Sequence, residues 1–229
     1  MTQGPILAFD CAGGACSAVA WRDGRALARS GRTMTHGQAE VLVPMIRATL
    51  DEAGIGFGDL AAIATTLGPG SFTGLRAGLA TARGLALATG LPCYGFSTLA
   101  IAARAVSPAE RSGRRIAAAI DTRRDDLFVQ VFDGDARAIG EGQVVTIDRA
   151  AAMLADVPVV LAGDATAALS DRLRRAGADA IVAAKAGVLD VAIVAELAAA
   201  RHAAGAPGDA MRPLYLRAPD VTPAPVRRG

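Results

Sequence analysis

The sequence predicts an α/β protein made of two copies of one unit, each reading strand, strand, strand, helix, strand, helix, set face to face across a cleft. Three observations predict it. Short apolar runs of strand length alternate with segments whose apolar residues recur at helical spacing. The first run of each half, Ile6–Asp10 and Ile116–Asp121, ends in an aspartate. The same succession of elements then recurs in the second half, a repeat at the scale of half the chain.

In the first half, Ile6–Asp10 is followed by a Gly13-Gly14 turn. Ala15–Trp21 and Arg25–Gly31 read as two strands joined at Asp23-Gly24, a strong hairpin signal. Thr35 and Gln38 form a capping box for a helix that presents Leu42, Val43, Ile46, Leu50 and Ala53 on one face, carries Pro44 inside and stops at Gly54. Ala61–Thr66 is a buried strand. Gly68-Pro69-Gly70 turns the chain, Ser71 caps the next helix, and Gly90 ends it. A short strand at Cys93–Phe96 and a helix capped by Ser97 lead to Ser107-Pro108, which closes the half.

The helix after Ser71 carries an unusual stripe. Gly74, Gly78, Ala82 and Ala86 are spaced by four, so they share a face, flanked by Ala77, Thr81 and Leu85. Each interior glycine costs about 1 kcal/mol against alanine, so the stripe implies a close approach to the backbone. Tight packing on the chain's own sheet, a partner helix and a phosphate at the helix start each supply one. The strict phosphate-loop pattern fails, because Gly74 is followed by Leu75 and Arg76, and Lys185 is the only lysine.

In the second half, Ile116–Ile120 leads into Asp121. Leu127–Phe132 and a segment from about Ala136 to Ile147, interrupted by Gly140 and Gly142, complete three strands. Asp148 caps a short helix to Ala155, Val159–Ala162 is a strand, and Gly163-Asp164 a turn. Helices follow at Thr166–Arg175 and about Leu189–Ala204, with a strand near Ala180–Ala184 between them. The division falls at residues 1–108 and 109–229, with the last residues free to pack back on the first half. The proline-bearing tail beyond Arg217 reads as extended.

Composition narrows the function classes. With 229 residues, 52% hydrophobic and 20% charged, the chain buries a core. A net charge of +2 argues against a dominant nucleic-acid footprint but leaves local patches at Arg123-Arg124, Arg172–Arg175 and Arg227-Arg228. Aromatics are 4% of the chain, so base stacking looks poor. No apolar run reaches the ~18–20 residues of a membrane span, and no signal peptide opens the chain. Cys11, Cys16 and Cys93 lack metal-ligand spacing and read as reduced thiols of a cytoplasmic protein.

The duplicated unit resembles the actin-like (ASKHA, RNase H-like) fold shared by actin, sugar kinases and Hsp70. The match in detail is narrower. Ile6-Leu-Ala-Phe-Asp10, Ala15-Cys-Ser-Ala-Val-Ala20, His36-x-Gln38 ahead of Pro44-Met45, Gly68-Pro-Gly-Ser-Phe-Thr-Gly-Leu-Arg76 with Gly78, and Ser97-Thr98-Leu99 resemble the TsaB (YeaZ) family. Asp121-Thr-Arg123, Leu161-Ala-Gly-Asp164 and Pro213-Leu-Tyr-Leu-Arg217 sit where that family has similar segments. The likeness covers nearly the whole chain and is strongest from Pro5 to Leu99.

The resemblance implies a non-catalytic scaffold subunit for threonylcarbamoyladenosine formation on tRNA. Such a subunit binds and supports a TsaD-like catalytic subunit, works with a TsaE-like ATPase, and meets tRNA indirectly through the complex. The family pairs through its first two helices. On this chain that implies an interface of Leu42, Pro44, Ile46, Gly70, Gly74, Ala77, Gly78, Thr81 and Ala82. A homodimer through the same stripe is the competing use of the surface.

The resemblance implies no catalytic residues and no metal site. Only His36 and His202 are available, and His36 with Glu40 makes half a site at most. In the actin-like fold the first-strand aspartate helps position Mg²⁺. Here Asp10, Gly13, Gly14, Asp121 and Gly163 offer a weak nucleotide contact, but Cys11 and Ala12 replace the hydroxyl residues usual in relatives. No cofactor of its own is expected, with ATP or ADP at the complex interface left open. The alternative is a small ATPase or kinase of the same fold. Neither a His-Glu-x-x-His nor a Gly-x-Ser-x-Gly motif supports a peptidase.

Overall fold

A computed structural model of the chain describes residues 4–34, 36–187 and 189–217. In the first half, β1 (Ile6–Asp10), β2 (Ala15–Arg22) and β3 (Arg25–Thr33) precede α1 (Gln38–Ala53), β4 (Ala62–Gly68), α2 (Phe72–Thr89), β5 (Cys93–Ser97) and α3 (Thr98–Arg104). A one-turn helix α4 (Pro108–Arg111) leads to β6 (Arg115–Asp121), β7 (Asp126–Phe132), β8 (Ala138–Thr146), α5 (Ile147–Leu154), β9 (Val159–Ala162), α6 (Thr166–Arg175), β10 (Ala180–Val182) and α7 (Val191–Ala203).

The two sheets have one topology. The first runs β3-β2-β1-β4-β5 and the second, read from the other edge, β8-β7-β6-β9-β10. In each, the opening strand pairs antiparallel with its hairpin partner and parallel with the strand after the helix. Both opening strands are nearly continuous apolar runs because both faces of each sheet are covered. Leu7 and Phe9 point into a core with α1 and α2, while Ile6 and Ala8 point into one with α7. Ala117 and Ala119 face α5 and α6, whereas Ile116, Ala118 and Ile120 meet Leu99, Ala102 and Ala103 of α3. Because Ile101 of α3 joins the first sheet's core, α3 sits between the two sheets.

After α7 the chain crosses the first half as a strap. Asp209 covers the edge of β5: its N–H donates to the Cys93 carbonyl (2.7 Å), and its carboxylate accepts from the Gly95 N–H (2.8 Å) and from Arg201 (2.6 Å). Arg83 donates to the Met211 carbonyl (2.6 Å) and the Leu214 N–H to the Leu67 carbonyl (2.7 Å). The strap ends with Arg217 paired to Asp126 of β7 in the second half.

Several local expectations change. Asp23 and Gly24 both have positive φ, as a tight hairpin requires. Thr35 lies outside the described residues, and α1 starts after Gly37 in the left-handed region. Thr146, rather than Asp148, caps α5 by accepting from the Arg149 N–H (3.3 Å). Ser97 does not cap α3, and its Oγ is buried without a hydrogen-bond partner among the described residues. Glycines 140 and 142 do not break β8; the irregularity is a register shift between Val129 and Val131 of its neighbour. The tail beyond Arg217 and the Arg227-Arg228 cluster lie outside the described residues.

Candidate functional site

The glycine stripe faces inward. A Cβ on Gly74 would lie 1.9 Å from the Cys11 carbonyl oxygen, and one on Gly70 would lie 2.3 Å from that of Ala12. The Ser71 N–H donates to the Ala12 carbonyl (2.7 Å), so the start of α2 is bolted to the β1–β2 turn. Ser71 also caps α2 by accepting from the Gly74 N–H (3.4 Å). One turn on, a Cβ at Gly78 would reach within 3.5 Å of Thr65 of β4, and Ala82 is fully buried. The expected interface therefore needs correcting. Gly70, Gly74, Gly78 and Ala82 are small so that α2 lies close to its own sheet, not to receive a neighbour. Leu42 and Ile46 are likewise buried in the same core, because they occupy the inward face of α1.

The outward faces of these two helices remain. On α1, Pro44 is exposed beside Val43, which is 55% exposed. On α2, half-buried Ala77 and Thr81 border exposed Ala80, Gly84 and Leu87. A Cβ on Gly84 would meet nothing within 4 Å, and Leu87 is 89% exposed. Small side chains beside exposed leucine and valine make a low apolar surface of the kind that lets another helix approach closely.

The cleft gathers the expected acids and glycines. Asp10, Gly13, Gly14 and Gly163 line a cavity of about 250 Å³ with Thr98, Asp164 and Gly187. Asp121 lines the adjoining cavity with Gly13, Gly14 and Arg123. Asp10 is buried; it accepts from the Thr66 hydroxyl and from the Ala12 N–H (3.0 Å). Burial pushes its carboxyl above the ordinary aspartate value, and these bonds only partly offset that. Asp121 accepts from the Arg123 N–H (2.7 Å), and its own N–H donates to Asp164 (2.8 Å). Gly163, at φ +98°, is a glycine because a Cβ would meet the Ala119 carbonyl oxygen at 2.1 Å.

These residues do not fit a magnesium-bound nucleoside triphosphate. The one acid at the first-strand position is a buried acceptor already engaged by Thr66 and Ala12. Cys11 and Ala12, buried and without hydroxyls, occupy the turn beside it, and Cys11 Sγ sits 3.6 Å from Cys16 Sγ. Cβ atoms on Gly13 and Gly14 would find room, so the turn is open without being equipped. Among the described residues no three His, Cys, Asp or Glu side chains converge as a metal set. His202 contacts the Tyr94 hydroxyl (3.3 Å), and among the described residues no helix is long and apolar enough to cross a membrane.

Sequence reasoning missed the clustering of aromatics. Phe72, Phe128 and Tyr215, far apart in the chain, line one concavity of about 440 Å³ at the cleft mouth. Only the strap brings Tyr215 there, and no periodicity signals that.

Comparisons with known proteins agree with this architecture. The family model described as TsaD, tRNA N6-adenosine threonylcarbamoyltransferase, matches residues 33–221. The tRNA threonylcarbamoyladenosine biosynthesis protein TsaB of Escherichia coli is 36% identical over 138 residues, 60% of this chain and 59% of that protein. The chain thus aligns with about six tenths of that curated relative's length. The structure of YeaZ from Pseudomonas aeruginosa superposes with a TM-score of 0.78 at 31% identity, covering 93% of this chain and 100% of that one. A Bacteroides thetaiotaomicron protein described as having an actin-like ATPase fold and unknown function superposes at 0.51 with 8% identity over 85% and 96% of the two chains, a likeness of fold alone.

Proposed function

We propose, because the chain belongs to the TsaB (YeaZ) family of actin-like proteins, that it is the non-catalytic partner subunit of the machinery that forms N6-threonylcarbamoyladenosine on tRNA. Its role is to bind and support a TsaD-type catalytic subunit, with a TsaE-like ATPase completing the assembly and tRNA reached through the complex. The observation that carries this reading is the outward face of α2. It offers Ala80, Gly84 and exposed Leu87 to solvent, on one of the two helices through which the family resemblance implies pairing.

The cleft supports the non-catalytic part of the reading. Its first-strand acid, Asp10, is buried, and no hydroxyl at residues 11 or 12 faces a phosphate. A nucleotide trapped between this chain and its partner would have to draw its phosphate ligands from the partner. The rival reading, a small ATPase or kinase, would have to work with Asp10 held by Thr66 and Ala12. Gel filtration of the chain with the TsaD-type protein of the same cell tests the proposal: a co-eluting complex supports it, and separate elution opposes it.

A further inference from the structure

The concavity at the cleft mouth is built unlike the rest of the surface. Phe72, 57% exposed, opens α2, and Tyr215, 50% exposed, comes from the strap; their ring centroids lie 6.5 Å apart at 32°. Two aromatic rings side by side at the surface present flat apolar area to solvent. The Arg76 guanidinium lies over the Phe72 ring, 3.7 Å from its centroid, and makes no ion pair among the described residues. Arg217 and Arg123 nearby are paired with Asp126 and Asp121. Arg76 is thus a cation held at the rim by a ring rather than by a carboxylate. The concavity shares Gly70, Phe72, Thr122 and Phe128 with the neighbouring cavity.

Exposed aromatic faces beside an arginine without a carboxylate partner match the chemistry of an unpaired nucleobase and its phosphate. Every base has a π-face to stack, and the backbone charge meets the cation. A duplex hides its bases and would meet only the arginine. We propose that this surface takes an unpaired base of single-stranded RNA on Phe72 and Tyr215, with Arg76 on a flanking phosphate. The choice of RNA over other single strands rests on the tRNA-modifying reading above, to which it adds a direct contact between this chain and the RNA beside the route through the complex. Arg76 lies one turn before Ala80 on α2, so this surface adjoins the N-terminal end of the Ala80–Leu87 face assigned to the protein partner.

The test is fluorescence anisotropy of the full chain with a labelled single-stranded RNA of anticodon-loop sequence, the same RNA annealed to its complement, and AMP as competitor. The proposal expects saturable binding to the single strand. Tyr215→Ala or Phe72→Ala should weaken it about tenfold, Tyr215→Phe should retain it, and Arg76→Gln should flatten its salt dependence. Unchanged circular dichroism of the variants separates lost binding from lost fold. Absence of saturable binding, equal affinity for the duplex, or full competition by AMP at the RNA's own concentration would overturn the proposal. None of these outcomes bears on whether the TsaD-type partner co-elutes, so the two readings fail separately.

Discussion

Gly74 and Cys11 meet backbone to backbone: a methyl group on Gly74 would stand 1.9 Å from the Cys11 carbonyl oxygen. Because α2 is packed on the β1–β2 turn at that point, the clash cannot be relieved by rotating a side chain. Gly74→Ala gains about 1 kcal/mol of helix propensity but forces backbone movement. The expected net effect is a loss of about 3 kcal/mol or outright failure to fold. Gly84 is the control on the same helix, where a Cβ meets nothing within 4 Å. Gly84→Ala should stabilise by about 0.5–1 kcal/mol. Urea denaturation of both variants checks the pair.

The two faces of α1 and α2 separate in the same experiment. Leu42 is fully buried, so Leu42→Ala should cost about 2–5 kcal/mol. Leu87 is 89% exposed, and Leu87→Glu should stay within about 0.5 kcal/mol of the parent.

Much of the fold was legible in the chain. Ile6–Asp10 and Ile116–Asp121 read as matched opening strands because residues on both faces are apolar, and the structure sets them at the centre of two sheets with the same strand order. Ser71 and Gly90 read as helix ends for reasons of local hydrogen bonding and φ, which neighbours do not override. The stripe was legible as a close approach, but its partner was not. A glycine at spacing four says that something touches the backbone, and only three-dimensional packing says that Cys11 does. Leu42 and Ile46 show the same limit, since an apolar face is equally suited to a core or to a partner. Thr66 as the donor to Asp10, Asp209 as the clasp on β5 and the Phe72–Tyr215 pair join residues distant in sequence, where periodicity is silent.

Two carboxylates carry opposite pH signatures. Burial raises Asp10 above its ordinary 3.8, so the native state holds its proton more tightly than the unfolded state. Stability from this group is therefore greatest below pH 3.8 and falls as pH rises through the raised value. Asp10→Asn removes the buried charge and keeps an acceptor for Thr66, so it should raise the melting temperature at pH 7 and give no gain below pH 3.8. Arg201 holds Asp209 below its ordinary value, so its contribution is present above pH 3.8 and fades as pH falls through the lowered value. Asp209→Asn should lower the melting temperature at neutral pH and converge with the parent in acid. Thermal scans across pH read both curves, and curves of the same sign would contradict the assignment.

Because Asp10 is committed to Thr66 and the Ala12 N–H, the isolated chain should release no phosphate from Mg-ATP above the buffer rate. Asp10→Asn should then leave that rate unchanged. A coupled phosphate assay that finds steady turnover abolished by Asp10→Asn would favour the ATPase reading.

If a TsaD-type subunit docks on the outward face of α2, its co-elution with matched surface variants reads that contact. Gel filtration coupled to light scattering should show a complex with the parent chain. Leu87→Glu and Ala80→Arg, both with unchanged melting temperatures, should abolish it. A complex that survives both substitutions, or a parent chain that elutes only as its own dimer in the partner's presence, would contradict the account.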